Sequence, residues 1–191
     1  MRLLLAGAFF LVPSFAAELE LRYNALEKII SEQVFTQEGR RYVRGTPKTK
    51  CQFAYLEAPH IGVADNGLLR VTARFSGRTA LDVFGRCVGL GDSFDLAIIA
   101  TPVARHGAMG FKDVNITTTK DSYYIRRVRA ALTQAFAKDI KIDLQEQAKK
   151  IVEQTREGAP YQVQLASFEL TDVRVEREAL VLVVGFRLVV K

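Results

Sequence analysis

The sequence is poor in the side chains that most often do chemistry: its 191 residues include two histidines, two cysteines and no tryptophan. Nucleophilic catalysis needs a base within reach of a serine or cysteine. His60, directly after Pro59, and His106, directly before Gly107, instead read as exposed turn residues. No G-x-S-x-G elbow occurs. Two isolated histidines and two cysteines 36 positions apart, at 51 and 87, have no recognisable metal-ligand spacing. Gly89-Leu90-Gly91 lacks the third glycine of a dinucleotide fingerprint. No nucleic-acid module is present, nor a basic stripe interleaved with stacking aromatics. With no polar constellation to converge on a substrate, the reading is of a protein that is not an enzyme and needs no cofactor.

Long apolar runs are also missing. Leu3 to Val12 is a short apolar stretch behind Met1-Arg2, too short to span a bilayer. Pro13 breaks it, and Ser14-Phe15-Ala16 offers small residues at signal-peptidase spacing. Residues 1–16 therefore read as a signal peptide and 17–191 as a single domain, exported to a periplasm or secreted. No cysteine follows the cleavage point, so a lipid anchor by that route is excluded. Cleavage removes Arg2 alone among the charged residues, taking the net charge from +6 to +5. A basic exported protein points to anionic surfaces rather than to nucleic acid. The cluster Arg40, Arg41, Arg44, Lys48 and Lys50 contains no acid and is a candidate membrane-surface patch; a solubilising loop is the other reading. Cys51 and Cys87 permit one disulfide, which an oxidising compartment favours over two buried thiols.

Taken in order, Asn24 to Glu27 has the form of a capping box, opening a helix with Leu26, Ile29, Ile30 and Val34 on one face. Phe53 to Ile61 and Leu68 to Phe75 flank Asp65-Asn66-Gly67, a hairpin turn signal. Gly77 to Gly91, with four glycines, reads as looser chain. A second hairpin follows, with Phe94 to Val103 going out, His106-Gly107-Ala108 at the tip and Met109 to Thr119 returning. Asp121 stands where the next helix would be capped. That helix has apolar positions at Tyr124, Ile125, Val128, Ala131, Leu132, Ala135 and Phe136. Asp143 to Glu146 caps a third helix, ended by Gly158 and Pro160. Val163 to Val175 and Ala179 to Val190 make a closing hairpin about Glu176-Arg177-Glu178.

These lengths imply an α+β fold. A strand of about 12 residues reaches roughly 40 Å, and a helix such as the one after Asp121 covers only about 25 Å of it. In the last strand Leu182, Val184, Phe186 and Leu188 face one way while Val181, Val183 and Val189 face the other. A sheet apolar on both faces must cover both. A ligand, a partner or the sheet's own curl has to hide what the helices do not.

The segments Leu68 to Gly77, Phe94 to Phe136 and Phe168 to Val190 resemble the tubular lipid-binding (TULIP) superfamily, to which the bactericidal/permeability-increasing protein belongs. The resemblance implies a long, highly curved antiparallel sheet wrapped around amphipathic helices, with an apolar groove for lipid tails. It implies an exported lipid- or amphiphile-binding protein, a carrier between membranes. Leu26, Ile30, Phe94, Leu96, Leu132, Phe136, Leu182 and Val184 are the expected lipid contacts. The alternative is an envelope interaction module that docks a protein on the same apolar surface.

Overall fold

The computed structural model describes residues 16–154 and 161–191. Residues 1–15, all but the last of the stretch read from sequence as a signal peptide, lie outside the described residues, as do Gly158 and Pro160. The element order begins β1 (Ala17–Arg22), α1 (Tyr23–Gln33), β2 (Arg40–Arg44), β3 (Gln52–Val63), β4 (Leu69–Val83) and β5 (Arg86–Arg105). It continues β6 (Ala108–Thr118), α2 (Tyr123–Asp139), β7 (Ile142–Asp143), α3 (Leu144–Gln154), β8 (Val163–Val175) and β9 (Ala179–Val190). The strands form two antiparallel sheets: six strands in the order β2-β3-β4-β5-β6-β7, and three in the order β1-β9-β8. The larger is curled into a half-barrel, so the fold is α+β with three helices.

The alternation of the sequence sets the faces of β4: Leu69, Val71, Ala73 and Phe75 are buried, while Arg70, Arg74 and Arg78 are exposed. Two bulges bend the half-barrel on either side of this strand. One extra residue enters β3 between Glu57 and His60, where Ala58 has φ 51°. Another enters β6 opposite Ile99 to Thr101, where Asp113 has φ 54°. Such insertions raise the local twist and kink the strand, which is how a long sheet curls.

One core joins both sheets. Leu26 and Ile30 of α1, Ile125, Leu132 and Phe136 of α2, and Leu180, Leu182 and Val184 of β9 belong to one buried cluster with Phe75, Phe94 and Leu96. The central strand of the small sheet, β9, is apolar on both faces along its first half, and both are covered there: Leu180, Val181 and Leu182 are all buried.

The helix starts differ in part from the sequence reading. No side chain caps α1; Asn24 Oδ1 accepts only from Ala25 N, and Glu27 Oε1 accepts from Ile61 N of β3 at 2.6 Å. Tertiary contact has claimed the carboxylate that a capping box would use. Ser122, not Asp121, caps α2 by accepting from Ile125 N at 3.2 Å. Asp121 pairs instead with Arg126 at 3.3 Å. Asp143 Oδ1 accepts from Glu146 N at 2.7 Å, as a cap for α3 does.

The stretch from Gly77 to Gly91 is not loose. It is the outer part of the β4–β5 hairpin, in unbroken register from Leu69 opposite Ala100 to Val83 opposite Arg86. Beyond Ala80 this hairpin leaves the body of the sheet, since β3 last pairs with β4 at Thr79 and β6 does not reach β5 before Leu96. We call this two-stranded extension the finger. Cys51 and Cys87 form a disulfide, Cα–Cα 5.2 Å, that ties the loop after β2 to the finger itself, where Cys87 stands opposite Asp82. Ala80 N also donates to Cys51 O at 2.9 Å. Closing a loop of 36 residues stabilises the fold by roughly 3–4 kcal/mol in the chain-entropy treatment.

Candidate functional site

The apolar surface of α2 divides into two stripes. Ile125, Leu132 and Phe136 turn into the core and are buried. Val128, Ala131 and Ala135, in line with Tyr124, face β2, β3 and β4 across a groove of about 630 Å³. The helix packs chiefly against β6, so its far side stands clear of the strands opposite. Val43 of β2, Phe53 and Ala54 of β3, and Phe75 and Thr79 of β4 form the other wall. A cavity of about 130 Å³ adjoins the groove, sharing Val43 and Ala135 with it. Small-molecule sites typically enclose about 300–1,000 Å³, mostly apolar, with a few placed polar groups.

Here the polar groups are Arg44, Arg127, Tyr124 and Thr79, and no acid lines the groove. Arg44 donates from Nη2 to Gln52 Oε1 at 2.9 Å. Arg127 donates from Nη1 to Tyr123 Oη at 3.1 Å, and its guanidinium lies 5.8 Å from that ring's centroid. Among the described residues neither arginine has a carboxylate partner. Two guanidiniums held by neutral groups leave the groove electropositive. Burial, and then the charge of Asp92, push the Tyr124 phenol above its ordinary value, with Arg44 pulling weakly the other way. Tyr124 is therefore a neutral hydroxyl at physiological pH. The carboxylate of Asp92 is itself occupied, held low by Lys120 at 2.9 Å and by Ser93 N.

Gly77 keeps this space open. A Cβ there would lie 2.8 Å from Phe75 Cζ and 2.9 Å from Tyr124 Oη, closer than real side chains approach.

Of the eight lipid contacts expected from sequence, Leu132 lines the groove and Phe136 lines the adjoining cavity. Leu26, Ile30, Phe94, Leu96, Leu182 and Val184 pack the closed core instead. The groove residues that the expectation missed did leave a signal. Tyr124, Val128, Ala131 and Ala135 repeat at helical spacing beside the core stripe, and an apolar arc that wide serves two surfaces. Val43, Phe53 and Thr79 gave none, because which face of a strand lines a cavity depends on register and curl.

The basic cluster is divided. Arg40 is bound to Glu57 at 3.1 Å, with its guanidinium 4.5 Å over the Tyr55 ring. Arg41 lines the smaller cavity and Arg44 the groove. Lys48 and Lys50 are exposed on the loop tethered by the disulfide. Both histidines are exposed, His60 beside the β3 bulge and His106 at the β5–β6 tip. Among the described residues no cluster of His, Cys, Asp or Glu could hold a metal ion, and no helix is long and apolar enough to cross a membrane. No protein-family model, curated protein or solved structure matches this chain.

Proposed function

We propose that this protein binds an amphiphile, seating an apolar tail in the groove between α2 and β2–β4 and turning an anionic head toward Arg44 and Arg127. The observation that carries the reading is the groove itself: about 630 Å³, walled by Val43, Phe53, Val128 and Ala131, with two arginines and no acid. Each methylene taken from water contributes about 0.8 kcal/mol, so a ten-carbon tail contributes about 8 kcal/mol. Association itself costs about 4–15 kcal/mol. A tail alone therefore gives weak binding, and the arginines and Tyr124 supply the remainder by charge-assisted hydrogen bonds.

The half-barrel sheet and the groove under a mid-chain helix support a tubular lipid-binding reading. The protein acts as an exported carrier rather than as an enzyme. Export rests on the basic, apolar and small-residue order of residues 1–16 together with the disulfide, which belongs to an oxidising compartment.

Native mass spectrometry of the purified protein tests the reading. The expected result is a bound lipid-sized mass that is lost on delipidation and regained on incubation with a fatty acid or anionic phospholipid. A bare chain that regains nothing would transfer the apolar surface to the docking-module reading.

A further inference from the structure

The β4–β5 finger and its root carry large apolar side chains in solvent beside the groove. Leu81, Val88 and Leu90 are 69%, 62% and 80% exposed, and Phe84 at the turn is fully exposed. Thr79 is opposite Leu90, Leu81 opposite Val88, and Val83 opposite Arg86. Facing pairs share a face, so Leu81, Val83, Val88 and Leu90 extend the groove-side surface of β4 and β5 into solvent. None of this apolar area serves the core.

Phe84 is the telling residue. It has φ 52° and is followed by Gly85 at φ 78°, a two-residue turn that Asn-Gly or Asp-Gly forms with least strain. A bulky side chain in the left-handed region is an outlier. Here the fold gains no packing in return, because the ring touches solvent on all sides. A residue that opposes both the backbone and solubility points to a role outside the fold.

We propose that the finger docks the protein on an anionic bilayer, with the Phe84 ring and its apolar neighbours in the headgroup–acyl boundary. Charge favours this occupant. The finger and its tethered loop carry Arg86, Lys48 and Lys50 against Asp82 alone, whose Oδ1 accepts from Gly85 N at 2.8 Å within the turn. Size agrees as well: three residues per strand beyond Ala80 reach about 10 Å, and interfacial elements enter about 5–10 Å. The ribbon's outer edges are unpaired beyond Ala80 and before Leu96. Deeper insertion would strand those backbone groups in hydrocarbon, so docking stops at the interface.

The chain has no tryptophan, so Phe84→Trp installs a single reporter. Vesicles of phosphatidylcholine with anionic phosphatidylglycerol should shift the introduced indole's emission to the blue, and brominated acyl chains should quench it. Phe84→Asp suits the left-handed turn and should leave the melting temperature intact. Burying a phenyl ring is worth about tenfold or more in partitioning, and this variant should lose that much. Lys48→Glu with Lys50→Glu should weaken binding further, as should added salt. A control, Phe186→Trp on the other sheet, should stay unquenched. Unchanged Phe84→Trp emission with anionic vesicles would overturn the proposal, and so would quenching at the control position instead. A blue shift that follows protein concentration without vesicles would overturn it in favour of a second copy of the chain. Because Ala131→Trp blocks only the groove, that variant should still dock, which separates failure here from failure of the amphiphile reading.

Discussion

Phe75 on β4 and Phe94 on β5 stand opposite each other, their ring centroids 4.9 Å apart and their planes tilted by 30°. Phe94 is buried on the core side, whereas Phe75 also forms part of the groove wall. The pair marks where packed core gives way to open space. Phe94→Ala should destabilise the fold by about 3–5 kcal/mol, as large core truncations do, and urea denaturation measures it. Phe75→Ala should lose a similar amount and also enlarge the groove, so its ligand preference should move toward bulkier tails.

Removing the disulfide should free the finger from the loop after β2. Cys51→Ala with Cys87→Ala should cost roughly 3–4 kcal/mol, measured by chemical denaturation under non-reducing conditions. Peptide mapping of the untreated protein should recover the Cys51–Cys87 crosslink.

Gly77 offers a way to close the groove from its floor. Gly77→Val would drive a side chain into the Phe75 ring and the Tyr124 hydroxyl. A stability loss of about 1–3 kcal/mol is expected from overpacking, together with loss of lipid uptake. Unimpaired uptake would place the ligand elsewhere.

Two of the six tyrosines should titrate late. Burial raises Tyr23 first and Glu176 adds to it, while burial and then Asp92 raise Tyr124. A phenol whose folded value lies above its unfolded value holds its proton more tightly when folded. Its contribution to stability is complete below the unfolded value of about 10 and declines as pH climbs past that value. Ultraviolet titration should show two delayed phenolates. Tyr124→Phe should remove one of them, and an anionic ligand seated beside Arg44 should delay that phenolate further.

Much of the fold was legible in the sequence because local chemistry wrote it. Asp65-Asn66-Gly67, His106-Gly107 and Glu176 to Glu178 all close hairpins where turn residues interrupt alternating strands. The pairing of β1 with β9 was not legible, since Ala17 to Arg22 becomes a strand only through its neighbour Ala179 to Val184. The glycines of Gly77 to Gly91 suggested loose chain, yet β4 and β5 pair through that stretch without a break. The site was legible on one side only. The apolar arc of α2 was visible, with Leu132 and Phe136 named from it, but the wall of Val43, Phe53 and Thr79 depends on how far the bulged sheet curls. For the same reason, residues such as Leu26 and Leu182 were assigned to a groove when they fill the core.

The proposed uptake of an amphiphile beneath α2 depends on the groove being open. Ala131 is exposed on the groove face of the helix, so Ala131→Trp fills the groove without disturbing the core. Titrating a fluorescent long-chain fatty acid into delipidated protein measures that uptake directly. Wild type should bind saturably at one site, and Ala131→Trp should bind at least about tenfold more weakly, a difference of 1.4 kcal/mol, with an unchanged melting temperature. Equal binding by the two proteins, or no binding by wild type, would contradict it.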